Sequence, residues 1–183
     1  MRSPLWLALL LLASCGGPEA NIGSADPYER FLGERELVGR TDAASIAQLV
    51  KLLDDDHYLV VTGAIEVLAG HGRPEFLQHF VPRLKHKHSL VRQTACQAIA
   101  TIHNEEGLPG LLEAMKDPEP SVRRAALKAL GTFARLPAAL RAIVDAVGDK
   151  EPSVSYLAHR ILCEWSGRKD VKQTKEAWAE AVK

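Results

Sequence analysis

The sequence predicts an all-α protein built from stacked helical hairpins, and two observations lead to this fold class. First, a segment of 15 residues occurs four times at intervals of about 31 residues, at 54–68, 85–99, 116–130 and 148–162. Periods of about 20–50 residues are typical of solenoids. Second, each copy joins a polar turn directly to an amphipathic segment whose apolar residues recur at helical spacing. A chain with this pattern repeats one helix–turn–helix unit.

Five columns of matching residues share the register of the repeat. Three columns lie on the second predicted helix of each unit: Val60, Val91, Val122 and Val154; Ala64, Ala95, Ala126 and Ala158; Leu68, Ile99, Leu130 and Leu162. Two columns precede them: Leu49, Phe80, Leu111 and Ile143; Leu53, Leu84, Met115 and Val147. Because residues four apart share one helix face, these columns predict a buried stripe. The alanines allow helices of successive units to approach closely.

The third unit shows how one repeat is built. Residues 111–116, with Pro109 near the start, are predicted to form a first helix, 117–121 a turn that contains proline, and 122–135 a second helix. Asp117 or Ser121 can cap that second helix. Neither helix can bury its apolar face alone, so successive repeats must stack.

The third repeat resembles HEAT repeats of the short, HEAT-like variety, because Asp117, a proline turn, Val122-Arg123 and then Ala-x-x-Ala-Leu follow one another. This resemblance implies a right-handed α-solenoid of about four hairpins, with capping helices at both ends. The expected segments are an N-terminal cap at 26–40, repeats at 42–72, 74–105, 107–136 and 138–167, and a C-terminal cap at 168–183. Trp178 in that last cap could close the core over Trp165.

The resemblance also implies roles for the turn residues. Asp and Arg side chains in such repeats commonly brace neighbouring turns, which favours a structural role over a functional one for Arg92, Asp117, Arg123 and Asp149. Three repeats depart from the pattern. Repeat 1 has Val61 in place of the arginine, repeat 2 has Lys85-His86 at the aspartate position, and repeat 4 has Ser155 in place of the arginine.

The first residues predict export. An apolar run of about nine residues, 5–13, follows Arg2 and is shorter than the ~20 residues of a membrane span. The next residues, ending in Ser14-Cys15, resemble the lipobox of bacterial lipoproteins. This resemblance implies that residues 1–14 are removed and that Cys15 carries lipid, with 15–25 as a flexible tether; the alternative is an ordinary secretory signal. Gly16 after the cysteine favours the outer membrane where the organism has two membranes.

The net charge argues against nucleic-acid binding, and the cysteine positions argue against a disulfide. The 23 basic and 23 acidic residues balance, which argues against nucleic acid as a partner. Cys96 and Cys163 lie on second helices two repeats apart, about 20 Å from one another if neighbouring helices pack ~8–10 Å apart. A disulfide needs Cα atoms within about 7 Å, so both cysteines are expected to be thiols.

Three histidines raise a metal hypothesis, because His57 lies 31 residues before His88, and His86 shares the turn of His88. A solvated basic corner is the competing interpretation, since these residues are expected in exposed turns. We predict neither a metal nor another cofactor. HEAT-like di-iron hydroxylases carry repeated His-Glu dipeptides, which this sequence lacks. Phosphate-binding loops, nucleophile elbows and H-E-x-x-H motifs are also missing, so we predict no enzymatic activity.

Outward positions of the second helices form a basic strip. Its members are Gln93, Gln97, Arg124, Lys128, Tyr156 and Arg160. The resemblance implies that this strip lies on the concave side, where it can bind an acidic peptide or a partner domain; a helix face kept soluble by charge is the alternative. We therefore predict a monomeric, membrane-anchored scaffold or adaptor in the bacterial cell envelope that binds a protein partner. The alternative is a HEAT-like enzyme or accessory factor of lyase type or with a metal-dependent activity.

Overall fold

The computed structural model of the protein describes residues 22–182. Apart from two short 3-10 segments, every regular element within this range is an α-helix. The described residues divide into two compact units, with the boundary between Val67 and Leu68. Within residues 22–182, none of the helices combines the length and the apolar character that a membrane span needs.

Between residues 27 and 67, the N-terminal unit contains three helical segments. They are α1 (Pro27–Arg35), α2 (Ala43–Leu52) and the first part of α3 (Tyr58–Gly70). Aspartate side chains cap the first two helices: Asp26 accepts a hydrogen bond from the N–H of Tyr28, and Asp42 accepts one from the N–H of Ser45, both at 2.9 Å. These caps satisfy N–H groups that have no partner within the helix, which explains where α1 and α2 begin.

The C-terminal unit contains three helical hairpins and a final helix. The first helices are α4 (Leu77–Arg83), α6 (Leu108–Ala114) and α8 (Pro137–Ala146). The second helices are α5 (Ser89–Ile102), α7 (Pro120–Thr132) and α9 (Pro152–Ser166), and the final helix is α10 (Lys175–Ala181). The 3-10 segments Pro74–Phe76 and Glu105–Gly107 lead directly into α4 and α6.

Local sequence sets where the second helices begin and end. Pro120 and Pro152 occupy the first turn of α7 and α9, where proline is tolerated because that turn needs no N–H donor. The α9 helix ends at Gly167, whose φ of 72° is the left-handed conformation that glycine adopts without strain. The α5 helix ends in the same way at His103, with a φ of 51°, which is unusual for a residue that is not glycine.

The predicted buried columns are confirmed by the packing. The valine, alanine and leucine or isoleucine columns of the second helices are all 0% exposed: Val60, Val91, Val122, Val154, Ala64, Ala95, Ala126, Ala158, Leu68, Ile99, Leu130 and Leu162. The first-helix column is also fully buried at Leu49, Phe80, Leu111 and Ile143. Only Met115 in the fifth column is half-buried rather than buried.

In the C-terminal unit, each first helix packs against the second helix of its own hairpin. The second helices also pack against one another in order, α5 on α7 and α7 on α9, and α10 packs on α8. This is the stacking that the repeat predicted. Because the second helices follow one another in space, their outward residues form one continuous surface.

The last helix encloses the core differently from the prediction. Trp178 of α10 is 0% exposed, and its indole Nε1–H donates a hydrogen bond of 2.8 Å to Nδ1 of His159. Trp165 remains 42% exposed. Trp178 therefore closes the core beside His159 rather than over Trp165.

Candidate functional site

The predicted turn residues form two bidentate ion pairs in the C-terminal unit. Arg92 binds both carboxylate oxygens of Asp117, at 2.7 and 2.9 Å, and Arg123 binds both of Asp149, at 2.8 Å. Each arginine also donates through Nη1 to backbone carbonyls of its own turn, including the carbonyl of Asp117 for Arg123. These four side chains therefore link each turn to the next, and they are occupied by one another.

A third pair of the same design lies in the N-terminal unit and was missed. Arg30 binds both oxygens of Asp55, at 2.7 and 2.8 Å, and its Nη1 donates to the carbonyls of Ser24 and Ala25. Arg30 lies 31 residues before Val61, which occupies the arginine column of repeat 1. The predicted N-terminal cap, α1, thus follows the pattern of a second helix. The spacing of Arg30 was the signal that could have revealed it.

The exposed residues of the second helices form a surface that we call the second-helix face, defined by Gln93, Gln97, Arg124, Lys128, Tyr156 and Arg160. Five of these six residues are exposed, with Tyr156 at 58%. Gln93 is half-buried, and its side-chain amide donates to the hydroxyl of Ser121 at 3.2 Å, so it joins two repeats. Arg160 lies 3.5 Å from Glu164, an exposed pair that leaves its guanidinium largely solvated.

A cavity of about 460 Å³ opens on this face between α7 and α9. Its polar lining includes Lys128 and Arg160, and its apolar lining includes Leu157, Ile161 and Trp165. Gly131 is also part of the lining, and a Cβ at this position would lie 3.3 Å from the side chain of Ile161. The sequence pattern predicted both cations of this site but not Trp165. The signal was its position five residues after Arg160 on the same predicted helix.

A cysteine and a histidine lie together near the end of α9. Sγ of Cys163 is 3.6 Å from Nε2 of His159, whose other nitrogen accepts the hydrogen bond from Trp178. That hydrogen bond requires the proton of the neutral imidazole to be on Nε2. His159 therefore donates toward the sulfur and is not set up to remove a proton from the thiol. Cys96 is fully buried, and burial raises the pKa of its thiol to about 12. Both cysteines are free.

The histidines of the metal hypothesis have other contacts. The ring of His57 stacks on Tyr58 with 5.0 Å between ring centroids, and Nδ1 of His86 accepts a hydrogen bond from the N–H of His88. Among residues 22–182, no group of three or more His, Cys, Asp or Glu side chains is arranged to hold a metal ion.

A buried acid in the N-terminal unit was not predicted. Glu34 of α1 is 0% exposed, and neither of its carboxylate oxygens has a hydrogen-bond partner within residues 22–182. Its carboxyl group lies against Gly63 of α3, in space that a Cβ at position 63 would fill. Burial raises the pKa of Glu34 to about 9, so the group is a neutral acid at neutral pH.

Comparison with known proteins agrees with the repeat fold. Residues 77–163 match the family model of HEAT repeats. The sequence is also 29% identical, over 114 residues and 58% of the chain, to the uncharacterized phycocyanin operon protein Z of Pseudanabaena tenuis. The chain spans 56% of the length of that relative.

Solved structures of helical-repeat proteins resemble the fold. The complex of CpcE and CpcF of phycocyanin lyase from Nostoc superimposes with a TM-score of 0.66 and 18% identity, covering 90% of this chain and 68% of that chain. A designed armadillo repeat protein in complex with the peptide (KR)4 superimposes with a TM-score of 0.58 and 20% identity, covering 91% and 87%. These similarities confirm the predicted class, an all-α solenoid of HEAT and armadillo type.

Proposed function

We propose that the protein is a non-catalytic scaffold that holds a protein partner on the second-helix face. The observation that carries this proposal is the cavity beside Trp165, which combines an exposed aromatic ring with the cations Lys128 and Arg160. Arg124 lies exposed on the same helix as Lys128 and extends the positive charge. Aromatic residues and arginine are enriched at the centres of protein interfaces.

The chemistry of this face selects the kind of partner. Three exposed cations, with Glu164 as a nearby anion, attract an acidic segment. The apolar lining and Trp165 provide a place for one apolar side chain between the acids. Because only three second helices contribute, we expect a linear segment or one small domain bound to a monomer. Nucleic acid is not expected, because the chain as a whole is neutral.

The comparisons support a repeat surface as the binding site. CpcE is found in complex with CpcF, and the designed armadillo protein is found in complex with a peptide of alternating lysine and arginine. The basic second-helix face predicts an occupant of the opposite charge to that peptide. Sequence identity to both structures is near 20%, so the support extends to the type of surface and not to a named partner.

In-cell crosslinking followed by mass spectrometry tests this proposal. The wild type is compared with the variant Arg124→Glu/Lys128→Glu/Arg160→Glu, after circular dichroism has shown that both fold. A matched control reverses three exposed lysines elsewhere: Lys51→Glu, Lys150→Glu and Lys172→Glu. We expect one partner to crosslink to the wild type and to the control but not to the triple variant. Equal crosslinking to all three proteins would show that the second-helix face is a solvated surface and would refute the proposal.

We further propose that Cys15 anchors the protein to the cell envelope, at the outer membrane where two membranes exist. The support is the lipobox-like segment ending at Cys15, which lies outside the described residues. Metabolic labelling with radioactive palmitate is expected to mark the wild type and not Cys15→Ser. A labelled Cys15→Ser protein, or an unlabelled wild type, would favour the ordinary secretory signal.

A second candidate is an accessory role of lyase type, and the similarity to CpcE and to the phycocyanin operon protein favours it. Under this hypothesis the second-helix face would bind phycocyanin or a second lyase subunit. Surface plasmon resonance between the purified protein and phycocyanin provides a direct test. Saturable binding that the triple glutamate variant loses would support the accessory role; no binding at micromolar phycocyanin would leave the scaffold proposal preferred.

A further inference from the structure

The turn of repeat 2 keeps the geometry of the other turns but changes its chemistry. In three turns, an aspartate oxygen accepts a hydrogen bond from the N–H two residues later: Asp55 from His57 and Asp117 from Glu119, both at 2.9 Å, and Asp149 from Glu151 at 2.8 Å. In repeat 2, Nδ1 of His86 accepts the equivalent bond from the N–H of His88 at 3.0 Å. The imidazole of His86 thus takes the place of the aspartate carboxylate, and the hydrogen bond that closes the turn is kept.

This exchange turns an anionic position into a neutral hydrogen-bond donor. Because Nδ1 accepts the backbone hydrogen bond, the proton of the neutral ring is on Nε2, which is free to donate. Burial lowers the pKa of His86, and the positive charges of nearby Lys87 and Arg83 lower it further, so the ring is neutral at neutral pH. The turn of repeat 2 therefore offers an N–H donor to an anion at the position where the other three turns carry an aspartate, which would repel one.

A cavity of about 650 Å³ lies directly beside this turn, between the hairpin α4–α5 of repeat 2 and the hairpin α6–α7 of repeat 3. This volume is within the range of about 300–1,000 Å³ that is typical of small-molecule sites. Its apolar lining includes Val81, Leu84, Pro109, Ala114 and Pro118. Gly110 is also part of the lining, and a Cβ there would lie 2.6 Å from the end of the Leu84 side chain, which a larger residue would displace.

The charged residues of the cavity are arranged asymmetrically. Lys85 and Lys87 flank His86 and are exposed. The two acids of the lining are occupied by cations: Glu113 accepts from Lys116 at 2.8 Å, and Asp117 is paired with Arg92. The end of the cavity near His86 is therefore positive, whereas the adjacent lining is apolar.

We propose that this cavity binds a small amphipathic carboxylate, with its apolar body against α4 and α6. Nε2 of His86 donates a hydrogen bond to the carboxylate, and Lys85 and Lys87 supply charge complementarity. This site is separate from the second-helix face, because the two share no lining residue.

Isothermal titration calorimetry of the purified protein with decanoate, below its micelle concentration, tests the proposal. Acetate supplies the carboxylate without the chain, and decyltrimethylammonium supplies the chain with the opposite charge. We expect saturable decanoate binding at least about tenfold tighter than binding of either control ligand. Equal binding of acetate would reduce the site to a small-anion site, and equal binding of decyltrimethylammonium would reduce it to an apolar patch; either result overturns the proposal.

Two substitutions at one position provide the matched comparison. His86→Asn keeps both the turn acceptor and a neutral donor, so decanoate binding is expected to persist. His86→Asp restores the acid of the other turns and is expected to weaken binding by about tenfold or more. Equal affinity of the two variants would contradict the role of His86.

A surface variant keeps the proposal testable should His86→Asp not fold. Lys85→Glu/Lys87→Glu is expected to lose decanoate binding, whereas Lys150→Glu, at the equivalent turn position of repeat 4, is expected to retain it. Retention by the double variant would overturn the proposal.

Discussion

Arg123 and Asp149 are joined by two parallel hydrogen bonds of 2.8 Å, and together they connect consecutive turns of the C-terminal unit. Nη1 of the same arginine donates to the carbonyls of Asp117 and Pro118, at 2.9 and 3.1 Å. Arg123 is only 4% exposed, so its charge depends on Asp149 for compensation. The pair therefore sets the register between two hairpins.

Replacing Arg123 with alanine is expected to lower the free energy of unfolding by about 3 kcal/mol, because Asp149 loses its partner in a poorly solvated turn. Urea titration followed by circular dichroism measures the change. The neighbouring Arg124→Ala removes an exposed cation and is expected to change stability by less than about 0.5 kcal/mol. Similar losses in the two variants would show that the pair contributes no more than a surface charge does.

The same pair predicts a loss of stability in acid. Hydrogen bonds from Arg123 hold the pKa of Asp149 below its usual range, despite partial burial. Since the folded state favours the ionised form, the stabilisation is complete above the ordinary aspartate pKa and is lost as the pH falls through the lowered value. Urea midpoints measured from pH 6 to pH 2 are expected to fall more steeply for the wild type than for Asp149→Asn. Parallel curves would exclude this carboxyl group as a source of the acid sensitivity.

Sequence alone could predict the hairpins, because apolar residues at four-residue spacing lie on one helix face and so indicate which face is buried. Asp117 and Arg123 could be predicted as turn braces because the third repeat carries the whole motif. Arg30 was harder to recognise because it lies outside the four predicted repeats, in the predicted N-terminal cap, and Trp165 because it belongs to none of the repeated columns. The burial of Glu34 follows from the packing of α1 on α3 and has no signature in an acidic, surface-like segment.

The contact between Glu34 and Gly63 predicts a pair of coupled substitutions in the N-terminal unit. Gly63→Ala alone would place a Cβ in the volume of the Glu34 carboxyl group and is expected to destabilise the unit by about 1–3 kcal/mol. Combining it with Glu34→Ala removes the clash, so the double variant is expected to be more stable than Gly63→Ala. Thermal unfolding of the four proteins in this cycle measures the coupling, and additive effects would contradict the contact.

Glu34 also predicts an unusual dependence of stability on alkaline pH. Burial raises the pKa of Glu34 from an ordinary value of 4.5 to about 9, so the folded protein retains a proton that the unfolded chain releases. The free energy of unfolding is therefore expected to fall by about 1.4 kcal/mol per pH unit between these values. Measurement between pH 7 and pH 8.5 avoids the titration of ordinary histidines and gives an expected fall of about 2 kcal/mol.

Replacing Glu34 with glutamine, which has nearly the same shape and no charge, isolates the contribution of Glu34 to the pH dependence of stability. Glu34→Gln keeps the shape of the side chain but carries no proton that titrates in this range, so its stability is expected to be level from pH 7 to pH 8.5. Glu36→Gln alters an exposed carboxylate one residue beyond α1 and is expected to keep the slope of the wild type. If Glu34→Gln and the wild type lose stability in parallel, Glu34 is already ionised in the folded protein and α1 does not shield it from water. A level Glu34→Gln curve beside a falling Glu36→Gln curve would instead show that a neutral, buried acid weakens the N-terminal unit as the pH rises.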